Sequence, residues 1–149
     1  MNLTIDEAKR MNTTALAFIG DAVYEVYVRE HVLEFEKKNV DLLHKMAIKY
    51  VRADGQALAI KRLMKEGELA LDPENAGKAE GFVLTKEEMS LVRRARNHKS
   101  ASKPKNADPI IYKWATAFEA LVGFMKLTGD TDRMEELIMT SIGIIEGKE

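Results

Sequence analysis

The chain has no cysteine, which excludes a disulfide framework and a thiolate zinc site and makes a reducing cytoplasm the expected compartment. Prolines number only three in 149 residues, and the composition is not that of a disordered or fibrous protein. No apolar run approaches the roughly 20 residues needed to span a bilayer. The amino-terminal MNLTIDEAKRMN also lacks the apolar core of a signal peptide, so no membrane partner is expected. An excess of one charge is missing too. With 23 Lys and Arg against 24 Asp and Glu the net charge is −1, a poor match for a protein that coats nucleic acid through many phosphate contacts. What is present, 46% hydrophobic and 32% charged residues, suits one globular domain spanning residues 1–149.

Hydrophobic periodicity predicts helices and no strands. Leu16, Ile19, Val23, Val26, Tyr27 and Leu33 recur at helical spacing, predicting one helix over residues 14–37 capped by Thr13 or Thr14. After Asn39, an apolar stripe from Leu43 to Met64 predicts a second helix that Gly55 weakens only locally. Residues 67–81 contain Pro73 and Gly77, show no steady period, and read as a surface loop. Thr85 with Glu88 forms a capping box that launches a third helix through Met89, Leu91 and Val92. Asp108 caps a fourth, with Pro109 where its missing N–H costs nothing. Ile110, Trp114, Ala117, Leu121, Val122 and Met125 make that helix apolar nearly all round, which places it at the centre of a bundle. Gly129 ends it, and Asp130 or Thr131 caps a last helix whose stripe runs from Met134 to Ile145. The expected fold class is an all-α helical bundle.

Charge is distributed unevenly. LVRRARNHKSASKPKNA, residues 91–107, carries Arg93, Arg94, Arg96, Lys99, Lys103 and Lys105 without one acid. This is the concentrated candidate for gripping phosphates, although a solvated loop is the plainer reading. Two carboxylates stand out because they interrupt apolar helical segments, where a buried charge needs a partner or a metal ion. They are Asp21 in ALAFIGDAVYE and Glu119 in ATAFEALVG. Gly20 would let a neighbouring backbone come close beside Asp21. Taken singly, each acid could be structural, paired with an arginine or a helix end. His31, His44 and His98 are scattered and support no metal site.

Together, AFIGDAVYE and AFEALVG resemble the two active-site helices of the ribonuclease III family, whose motifs read like LEFLGDAVLE and DTVEALIGA. The order of the two segments and their helical contexts match. The resemblance implies an all-α ribonuclease III-type endonuclease domain that cuts double-stranded RNA. Asp21 and Glu119 would be the catalytic acids and would bind Mg2+ through oxygen, as a hard cation requires. The metal would polarise the scissile phosphate and activate a water, leaving 5′-phosphate and 3′-hydroxyl ends.

Full-length members have four acids in the site, whereas Ala17 and Thr116 stand at two of those positions here. More metal-bound water, or other groups, would then complete the coordination shell. Glu25, one turn after Asp21, could support the site or be a solvated helix acid. The chain ends soon after its last helix, so the double-stranded-RNA-binding domain of the larger enzymes is expected to be absent. In that respect the sequence is similar to Mini-ribonuclease III, a bacterial group with the nuclease domain alone. That similarity implies maturation of a 23S ribosomal RNA precursor; a ribosomal protein is a candidate further partner that the sequence does not decide. Phe18 stands where the family places an aromatic that plugs a socket on the partner subunit, implying a homodimer; a place in the monomer core is the alternative. The rival functions are a catalytically silent ribonuclease III-like protein that binds RNA or ribosomes, and a helical protein-interaction module. Retention of Asp21 and Glu119 favours the enzyme, and the acid-free basic segment fits the last reading poorly.

Overall fold

The computed structural model describes residues 1–78, 80–99 and 106–148, and within these the chain forms helices and no strand. Most helices start where a side chain can take up free N–H groups of the first turn. Thr4 and Glu7 form a capping box at α1, Ile5–Arg10. Asn12 caps α2, Thr13–Leu33, and Asn39 caps α3, Val40–Val51. Helix α4 spans Ala53–Leu71. The Thr85–Glu88 capping box forms as predicted at α5, Lys86–Asn97, and Asp108 and Pro109 open α6, Pro109–Leu127. The last helix, α7, covers Thr131–Ile145. No helix among the described residues is long and apolar enough to cross a membrane.

Several expectations are corrected. Helix α1 has too few turns to show a period, and α2 is capped by Asn12 while Thr13 is buried. The predicted second helix is two helices, because the chain turns at Arg52, whose backbone is extended. Gly55 is therefore a crossing point rather than a local weakness: a Cβ there would lie 2.5 Å from the Lys49 carbonyl oxygen. The predicted loop is helical as far as Leu71, since Glu66, Glu68, Leu69 and Ala70 favour helix strongly enough to carry it past Gly67. Pro73–Asn75 adds one 3-10 turn. The basic segment is likewise helical through Asn97.

Helix α6 occupies the centre, as its sequence predicts, and packs against α2, α4 and α5. Ala117, Phe118, Ala120, Leu121 and Val122 are fully buried, whereas Ile110 at its first turn is exposed. The Tyr24 ring meets Phe118 edge-on with centroids 4.9 Å apart. The Tyr24 hydroxyl donates to the Tyr50 carbonyl at 2.8 Å and so joins α2 to α3. At the end of α7, Glu146 accepts from the Tyr50 hydroxyl at 2.6 Å and lies 2.8 Å from His31 Nε2. Burial would raise the Glu146 carboxyl, but hydrogen bonds from Tyr50, His31 and Lys148 outweigh it and hold it down to about 2. This clasp fastens α7 to α2 and α3.

Candidate active site

Two glycines set the distance between the helices that carry the acids. A Cβ on Gly20 of α2 would fall 1.8 Å from the Glu119 carbonyl oxygen, and one on Gly123 of α6 would fall 1.9 Å from that of Leu16. Real side chains cannot come that close, so glycine at both positions lets the two backbones touch. The crossing brings Asp21, next to Gly20, and Glu119, four residues before Gly123, into hydrogen-bonding reach. Burial first, then the hydrogen bond and negative charge of Asp21, push the Glu119 carboxyl up to about 9, against a smaller opposing pull from Gln56. At neutral pH Glu119 therefore keeps a proton, which it can donate to Asp21.

The two acids converge as the sequence suggests, but they are not both buried. Glu119 is partly covered and Asp21 is exposed, because the face of α2 that carries Phe18, Asp21 and Ala22 has no neighbour among the described residues. Among the described residues no Lys, Arg or His lies within salt-bridge distance of either acid. Two facing carboxyls without a cationic partner, open to solvent on one side, are a donor set that fits a hard divalent cation. No third Asp, Glu or His joins them within the described residues. Ala17 is buried and apolar, and the Thr116 hydroxyl donates to the Tyr112 carbonyl at 2.9 Å. Glu25 pairs with Arg29 at 3.3 Å on the exposed face of α2, as a solvated helix acid does.

Sequence reasoning missed Gln56, which is only 2% exposed on α4. Its Nε2 lies 3.5 Å from Glu119 Oε2, at the long end of hydrogen-bond distance. The available signal was an amide between Gly55 and Ala57 in an otherwise apolar stretch of helix.

The arginines of the basic segment leave α5 in different directions. Arg93 pairs with Glu68 of α4 at 3.2 Å, and Arg94 donates to the Lys9 carbonyl of α1 at 2.6 Å. Arg96 stacks over Trp114 of α6, 4.8 Å from the ring centroid. Trp114 precedes Glu119 by five residues, roughly 7.5 Å along the helix axis, so the anchored end of the segment is fixed to the helix that carries this acid. Lys99 is exposed, and Lys103 and Lys105 lie outside the described residues. Lys61, Arg62 and Lys65 add a second cationic surface around an open cleft of about 520 Å³ that borders Ile111. Phe18 is 82% exposed, which removes it from the monomer core.

Comparisons with known proteins agree with this fold. A model of the Ribonuclease III domain matches residues 14–130, a span that includes both acids. The chain is 35% identical over 144 residues to Mini-ribonuclease 3 of Thermoanaerobacter sp. (strain X514), covering 97% of this chain and 89% of that one. It is 39% identical over 137 residues to Mini-ribonuclease 3 of Brevibacillus brevis, covering 92% and 90%. A crystal structure of a Fusobacterium nucleatum protein superposes with a TM-score of 0.69 at 27% identity, covering 88% of this chain and 93% of that one.

Proposed function

Because the chain belongs to the ribonuclease III family, and within it to the Mini-ribonuclease 3 group, we propose that this endoribonuclease holds Mg2+ between Asp21 and Glu119 to cut double-stranded RNA. The single observation behind this reading is the meeting of the two carboxyls at the Gly20–Gly123 crossing, with no Lys, Arg or His within salt-bridge distance of either among the described residues. A bound Mg2+ would supply Lewis acidity for the scissile phosphate and an attacking water activated near neutral pH. The protein's own part is positional. Asp21 stands on the open side where a phosphate can reach it, and Glu119 is held deeper against α4. The products carry 5′-phosphate and 3′-hydroxyl ends. Residues 1–149 act as one nuclease domain around the central α6.

Arg93, Arg94, Arg96, Lys99, Lys103 and Lys105 contact the RNA backbone. The Arg93–Glu68 pair does not oppose this, since both partners are well exposed and such pairs contribute only about 0–1 kcal/mol. A phosphate can therefore displace Glu68. Phe18 joins two copies in a homodimer whose twofold axis presents one site to each strand of an antiparallel duplex. The natural substrate is a 23S ribosomal RNA precursor in the cytoplasm, as the resemblance to the nuclease-only group implies.

The test is a cleavage assay on a perfect RNA duplex with Mg2+. Asp21→Asn is expected to reduce cutting by at least roughly a thousandfold, in line with loss of an essential metal ligand, while thermal unfolding stays close to that of the unmodified protein. Undiminished cutting by Asp21→Asn removes this residue from the chemistry.

A further inference from the structure

Two of the family's four acid positions are empty of acids here, yet the carboxyl of Glu119 is not left without support on its buried side. Gln56 reaches it from α4, and Glu119 is the one hydrogen-bond partner of the Gln56 side chain among the described residues. We infer that Gln56 is a positioning residue, its carboxamide holding Glu119 Oε2 so that the second oxygen is turned toward Asp21 and the cation they share. The inference rests on the reading of Asp21 and Glu119 as metal ligands.

Chemistry and packing both favour an amide at this place. Once the cation has displaced the Glu119 proton, the carboxylate oxygen on the covered side gains from a hydrogen-bond donor. Lysine or arginine would donate but would bring a charge that competes with the divalent cation. Glutamate would add negative charge and no donor at neutral pH. Glutamine keeps the length, supplies two N–H donors and adds no charge. Its own mobility is low, since the side chain is 2% exposed and Gly55, adjacent on the same helix, packs against the end of α3. Partners that orient metal-binding carboxylates in this way commonly change metal affinity or activity when removed.

The experiment compares the unmodified protein, Gln56→Met and Asp21→Asn. Methionine keeps the volume and removes the donor. For Gln56→Met, the Mg2+ concentration for half-maximal cleavage is expected to rise roughly 10- to 100-fold, with much of the rate recovered at saturating Mg2+. Mn2+ binding without RNA, followed by calorimetry, should weaken by a similar factor, while metal-free thermal unfolding stays within a few degrees. A merely structural glutamine would lower the unfolding temperature and leave both metal midpoints unmoved, and that result overturns the inference. It is overturned equally if Gln56→Met matches the unmodified protein throughout while Asp21→Asn is inactive. If Asp21→Asn cuts normally, the metal-site reading fails and the role of Gln56 fails with it. Where the methionine variant does not fold, Gln56→Leu, also without a donor, is read by the same criteria.

Discussion

Glu119 holds a proton that an isolated glutamate gives up, and this makes stability depend on pH in a defined direction. Its carboxyl sits at about 9 in the folded chain, raised from 4.5 by burial and by Asp21. The proton-linked contribution is complete below pH 4.5 and is lost as pH rises through about 9, because the folded state binds the proton more tightly. Glu119→Gln mimics the protonated form and is free of that loss. In the presence of a chelator, the variant's unfolding temperature should match the unmodified protein near pH 5 and exceed it increasingly toward pH 9. Parallel curves across that range would mean that Glu119 is an ordinary surface acid. Added Mg2+ should narrow the gap by stabilising only the unmodified protein, since the cation takes the proton's place.

Asp21 and Glu119 were legible in the sequence because a carboxylate inside an apolar run needs a reason. Gln56 was not, since glutamine is an ordinary helix former and nothing in its period separates a buried amide from a surface one. The degree of burial was also unreadable. Asp21 has apolar neighbours in sequence, but part of that apolar face has no partner among the described residues.

At the scale of elements, the α2–α6 crossing matters more than either helix alone, and it can be tested without touching the acids. Gly20→Ala would place a methyl group 1.8 Å from a backbone oxygen that cannot rotate away, and Gly123→Ala does the same from the other side. Each should destabilise by at least the roughly 3 kcal/mol at the top of the usual overpacking range. For a chain of this length that lowers the unfolding temperature by about 6–12 °C. Cleavage should fall with it, even at temperatures where the variants remain folded, because the acids move apart. Gly143→Ala is the control: it lies within α7, a Cβ there meets nothing within 4 Å, and its stability should be unchanged or slightly improved. Equal behaviour of the three variants would show that the close approach does not govern the site.

Helices α5 and α6 were legible from their caps and periods, with α6 correctly central, and α7 from its period alone, since Asp130 stands at its N-cap without a side-chain cap bond. The break between α3 and α4 was not, because apolar spacing continues through residues 50–58 and the backbone turns at Arg52 without proline.

At the scale of the whole molecule, one face of α2 is left bare by the described residues. Phe18 and Val26 are exposed on it, with Asp21 and Ala22 between them. A single exposed aromatic is ordinary, but Phe18, Ala22 and Val26 on one helix face form a contiguous apolar strip of the kind that interaction surfaces use. If a second copy covers it, one aromatic on each side near a twofold axis becomes an anchor of the kind that dominates binding energy. Phe18→Glu should then weaken dimerisation by at least roughly 30-fold, the equivalent of a 2 kcal/mol anchor. Sedimentation equilibrium would show a monomer at concentrations where the unmodified protein is paired. Helical content and unfolding of the monomer should change little, since Phe18 makes few contacts within its own chain. Double-strand cutting should fall in step with the dimer fraction, because one copy presents only one site to a two-stranded substrate. A Phe18→Glu protein that remains dimeric and cuts both strands would move the interface elsewhere on the surface.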